Sequence, residues 1–103
     1  MKSKLDILVG IAVTDALKVR DYVQLLFERD IVLTIYNEFK LLNNHDVSSL
    51  SGAKLVKVEE KPEAVILYFS NGTRLHIDLR DEAYNGPEAL ELRVPGQPTV
   101  VWN

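Results

Sequence analysis

The chain has 103 residues, 47% of them apolar, and a net charge of −3. That is one domain with its own core, burying roughly 60–65% of its unfolded surface. With no cysteine it can form no disulfide, thiolate metal site or cysteine nucleophile.

No apolar run approaches the ~20 residues of a membrane span. The twelve Lys and Arg are scattered, nowhere denser than Lys54/Lys57 or Lys18/Arg20. Binding a phosphate backbone requires a concentrated positive surface, so no nucleic-acid partner is expected. Lys2 and Lys4 precede an apolar stretch, but Asp6, Gly10 and Asp15 interrupt it before a signal core can build. A soluble, cytoplasmic protein is the expectation.

In chain order, a helical turn is predicted over Ser3–Val9, with Ser3 as N-cap. Gly10 supplies a left-handed stop. A strand follows over Ile11–Leu17, then a hairpin pairing Tyr22–Phe27 with Ile31–Tyr36. Val23, Leu25, Phe27, Ile31, Leu33 and Ile35 share one sheet face only if the loop holds an odd number of residues. Glu28-Arg29-Asp30 satisfies this. Asn43-Asn44-His45 reads as a loop, with His45 exposed.

The plan then recurs. A turn over Asp46–Ser51 carries Asp46 as N-cap and Gly52 as its stop, followed by a strand over Ala53–Glu59. A second hairpin pairs Ala64–Phe69 with Thr73–Leu79. Its loop is Ser70-Asn71-Gly72, with Gly72 in the left-handed position that Asp30 fills in the first copy. Arg80–Pro87 reads as a loop, with Asn85-Gly86-Pro87 as its turn signal. Ala89–Val94 alternates like a strand, Pro95-Gly96 suits a type II turn, and Thr99–Trp102 returns as a strand.

The recurrence is ungapped. Leu8–Asn37 lies on Leu50–Leu79 at an offset of 42 positions, matching Leu8/Leu50, Gly10/Gly52, Val23/Val65, Leu25/Leu67, Phe27/Phe69, Leu33/Leu75 and Ile35/Ile77. All seven are apolar or Gly, so a structural plan repeats and not a chemical site. The fold expected is mainly β, in a single domain over 1–103. Two helical-turn–βββ meander repeats (3–37 and 45–79), related by a pseudo-twofold, form a rolled sheet or half-open barrel. A C-terminal β-hairpin (88–103) closes an edge and offers cover for part of the half-apolar second face. The run Tyr84-Asn-Gly-Pro-Glu-Ala-Leu90 and the ending Val100-Val-Trp-Asn103 resemble small bacterial proteins, a resemblance that implies no activity.

Candidate chemistry is sparse. His76 and Asp78 share a strand face beside Arg74, but no second His at ligand spacing and no H-E-x-x-H accompanies them. No catalytic, cofactor or metal site is expected. The serines lack a G-x-S-x-G context, and the five glycines stand singly at turns. The candidate partner or ligand contacts are Tyr36, Tyr68, His76, Asp78 and Trp102. Aromatics favour interface hot spots, although Trp102 is expected to pack home. Asp78, Asp81, Glu82, Glu88 and Glu91, with Glu59, Glu60 and Glu63, gather negative charge in the second half.

The leading expectation is a non-enzymatic protein-interaction module that self-associates or binds a protein partner. One alternative is a small-ligand-binding β-roll with Tyr36, Tyr68 and His76 lining a pocket between the repeats. Another is an immunity or antitoxin-type protein that uses its acidic second half. Function is expected where the copies differ: Thr34 against His76, Tyr36 against Asp78, Gln24 against Ile66.

Overall fold

A computed structural model describes residues 3–43 and 46–103. The readings made at Met1, Lys2, Asn44 and His45 lie outside the described residues. The chain is mainly β, with short 3-10 turns between its strands. Strands β1 (Val13–Val19), β2 (Tyr22–Phe27) and β3 (Ile31–Ile35) form a meander. A short β4 (Phe39–Leu42) follows, then a second meander of β5 (Leu55–Glu60), β6 (Ala64–Phe69) and β7 (Arg74–Asp78). β8 (Leu90–Arg93) and β9 (Val100–Trp102) end the chain as a hairpin.

These strands form two sheets, ordered β1-β2-β3-β8-β9 and β4-β7-β6-β5, and they do not close into a barrel. The fourth strand of each half crosses over. β4 pairs with β7 of the second meander, and β8 pairs with β3 of the first. The 3-10 turns cross too: Val47–Leu50 packs on β1 and Lys4–Leu8 on β5.

The hairpin registers follow from the apolar alternation. Phe27 faces Ile31, which makes Glu28-Arg29-Asp30 a three-residue loop, and Arg29 and Asp30 both take positive φ there. In the second half the Phe69 N–H donates to Thr73 O, and Gly72 has φ +87°. Core-facing Val23, Leu25, Leu33, Ile35, Val65, Leu67, Leu75 and Ile77 are fully buried in one continuous cluster. Each such side chain stabilises the fold by about 1.5–3 kcal/mol. The turns seal the cluster with Leu5, Leu8, Val47 and Leu50. Ser3 and Asp46 cap them as expected, each accepting a backbone N–H two residues on.

The halves meet through paired backbone bonds. Gly10 N–H donates to Leu55 O, and Gly52 N–H donates to Val13 O, both at 2.7 Å. Val13 N–H reaches Ala53 O and Leu55 N–H reaches Ile11 O, with Ala12 and Lys54 bridged between them. This pairing is why β1 and β5 begin at Val13 and Leu55, and not at Ile11 and Ala53 as the sequence suggested. The residues just before each strand are used in joining the two halves. The register also shifts at matched places, between Val13 and Asp15 and between Leu55 and Lys57.

Two further differences from the sequence reading stand out. Strand β4 was not anticipated. The C-terminal hairpin closes an edge as expected, pairing Leu33 with Leu92 and Ile35 with Leu90, but it extends the first sheet and does not cover the second face. In that register Leu90 and Leu92 enter the core while Glu91 and Arg93 stay outside.

Candidate functional site

The outer faces of the two sheets carry equivalent positions, and the side chains on them decide which face is open. On the first sheet, Tyr22 and Tyr36 meet with ring centroids 5.9 Å apart. With Gln24, Leu26, Val32, Thr34, Glu91 and Arg93 they line a shallow hollow of about 320 Å³. On the second sheet, Ala64 stands at the position of Tyr22 and is paired with Asp78, which stands at that of Tyr36. With both rings gone, a groove of about 1290 Å³ opens there.

Half-buried Ile66 and His76 lie cross-strand on the groove floor, and Lys40 of β4 stands opposite His76. One wall is the β1–β2 turn with Lys18, Arg20 and Asp21, and the other is the β5–β6 turn, Lys61-Pro62-Glu63. Asp78 is held in a bidentate pair with Arg80, at 2.8 Å on Oδ2 and 3.1 Å on Oδ1. The Arg80 side chain and then its backbone N–H hold that carboxyl down at about 2. Among the described residues the ion pairs are Arg80–Asp78 and Arg93–Glu91, so Lys18, Arg20, Lys40 and Lys61 have no carboxylate within 4.0 Å. Asn37, which is buried, donates from Nδ2 to Asp78 O at 2.8 Å, and its Oδ1 is without a partner among the described residues.

The five residues singled out from sequence do not converge. His76 and Asp78 lie in the groove. Tyr36 is on the first sheet's outer face, where burial and then the nearby Glu91 and Glu88 raise its phenol pKa. Tyr68 sits between Lys57 and Arg74, 5.3 and 5.5 Å from its ring centroid, and donates to Glu59. That bond lowers the Glu59 pKa and raises that of Tyr68. Trp102 packs against the core cluster and donates from Nε1 to Glu60 at 3.0 Å, while Ser3 Oγ donates to the other oxygen of the same carboxylate. Four of the eight second-half acids, Glu59, Glu60, Asp78 and Glu91, are thus engaged by other side chains.

Sequence reasoning missed Ala64, Lys40, Phe39, Asn37, Lys18, Arg20 and Lys61. Ala64 was legible, since the 42-residue offset sets it against Tyr22. Lys40 was not, because nothing marked Phe39–Leu42 as a strand. No group of three or more His, Cys, Asp or Glu among the described residues has a metal-holding arrangement. No helix among them is long and apolar enough to cross a membrane. No protein-family model, curated protein or solved structure matches the chain.

Proposed function

We propose that this chain is a non-enzymatic protein-interaction module of bacterial, cytoplasmic type that engages a protein partner through the outer groove of its second sheet. One observation carries the reading: Ala64 and Asp78 leave open the face that Tyr22 and Tyr36 fill in the other half. The groove joins an apolar floor, Ala64 and Ile66, to a charged rim in which Lys18, Arg20, Lys40 and Lys61 stand beside Asp21, Glu38 and Glu63. That combination suits a partner surface of anchoring apolar side chains ringed by polar ones.

An internal duplication underlies this design. It is supported by the matched hydrogen bonds of Gly10 and Gly52, by the matched bulges, and by the reciprocal exchange of β4 and β8. In this reading a pseudo-twofold relates the halves. One face was free to diverge because its copy kept the shared core.

The test is charge reversal on the exposed rim. Lys40→Glu with Lys61→Glu is compared with a control pair on the first half, Lys4→Glu with Arg29→Glu. Partners captured from the native host are mapped by cross-linking to the groove. The rim pair is expected to weaken capture at least about tenfold, since reversed charges act on both approach and fit. Equal loss from the control pair, or cross-links outside the groove, contradicts the reading.

A further inference from the structure

β4 is the end strand of its sheet, and among the described residues no strand lies beside its outer edge. Asp78 N–H donates to Glu38 O at 3.0 Å, so by antiparallel alternation Lys40 and Leu42 direct their backbone groups at β7. The N–H and C=O of Phe39 and Leu41 therefore face outward. The matching edge in the other half is that of β8, where β9 is seated. Trp102 lies opposite Leu90, Val101 opposite Glu91 and Val100 opposite Leu92. β8 and β4 hold the same register on their inner neighbours, Leu90–Arg93 on Ile35–Val32 and Phe39–Leu42 on Ile77–Arg74. One half thus contains the strand that completes such an edge, and the other half lacks it.

Resting on the interaction-module reading above, we propose that β4 accepts an extended acidic segment of a partner protein as an added antiparallel strand. The β8–β9 interface supplies its pattern. A β-branched apolar residue lies opposite Leu41 and a large apolar one opposite Phe39, because these two half-buried side chains pack against the core at the register positions where Leu92 and Leu90 are buried in it. Between them, on the groove side, the partner places a carboxylate opposite Lys40. Lys40 is exposed, unpaired and the one charged residue of β4, and Lys18, Arg20 and Lys61 share its groove with Asp21, Glu38 and Glu63. Backbone bonds give such an added strand its affinity, and alternate side chains give it specificity.

The probe is a synthetic heptapeptide with the sequence of residues 97–103 carrying Val101→Glu, and its twin carrying Val101→Lys. Both are titrated into the isotope-labelled full chain while amide shifts are followed at low salt. The expected result is that shifts concentrate at Phe39–Asn43. The Glu peptide binds about fivefold more tightly than the Lys peptide, the scale of one exposed cross-strand charge pair. Lys40→Glu, at an exposed position, reverses that order. Shifts confined to Ala64, Ile66 and His76 overturn strand addition while leaving the groove reading intact. Shifts at Leu90–Arg93 mean that the peptide merely displaces β9, and overturn it too. So does the absence of any shift, or dilution-dependent shifts at β4 without peptide, which identify a second copy of this chain as the occupant.

Discussion

At single positions the left-handed residues carry the clearest energetics. Gly10 and Gly52 both have φ +87°, and a Cβ at either would meet nothing within 4 Å. The cost of alanine there is therefore conformational and not steric. Gly10→Ala and Gly52→Ala should each destabilise by about 1 kcal/mol, and by the same amount, as read by urea unfolding. The converse applies at Asp30, which has φ 59° where the second half has Gly72. Asp30→Gly should stabilise by about 0.5–1 kcal/mol, seen as a raised unfolding midpoint with unchanged slope. Asp78 gives a pH dependence of known sign. Its folded pKa, about 2, lies below its ordinary 3.8. The Arg80 contact thus adds stability above about pH 4 and loses it as pH falls toward 2. The gap in urea midpoint between the parent and Asp78→Asn should be present at pH 7 and closed near pH 2.

For whole strands, the alternation of apolar residues was a sufficient guide wherever a strand pairs with its neighbour in sequence. Phe27 lies against Ile31 because a slip of one residue would have put half the apolar set outside. Leu25 and Leu67 occupy matched, fully buried positions. Leu25→Ala and Leu67→Ala should each cost about 2–5 kcal/mol, the range for a cavity that cannot collapse. The crossing of β4 and β8 was not legible. Phe39 and Leu90 hold the same place on their partners but stand 51 positions apart instead of 42, because the segment before β8 is longer and contains the 3-10 turn Asp81–Ala83. A gapless offset cannot find such a pair, and four residues of β4 carry too little alternation alone. The exchange also predicts where damage spreads. Leu92→Ala should speed amide exchange at Val32 and Thr34 of β3 before it affects β6.

Taken as a whole, the molecule has two halves with one backbone plan and different outer faces. The shared apolar positions were readable because burial constrains them in both halves, and all three mismatches named from sequence have their second-half member, Ile66, His76 or Asp78, in the groove. The groove itself was not readable, since its opening depends on Ala64 and Asp78 being opposite one another and on a wall from the distant Lys18–Asp21 turn. The most direct measurement therefore refills it: Ala64→Tyr combined with Asp78→Tyr restores the aromatic pair of the first half. The variant should stay folded, because Tyr22 and Tyr36 fit the same register, but should unfold below the parental temperature, since Ala64 is buried and the Asp78–Arg80 contact is lost. It should also lose the cross-linked partner of the parent chain. A folded double variant that keeps that partner with undiminished affinity would contradict the assignment of binding to this face.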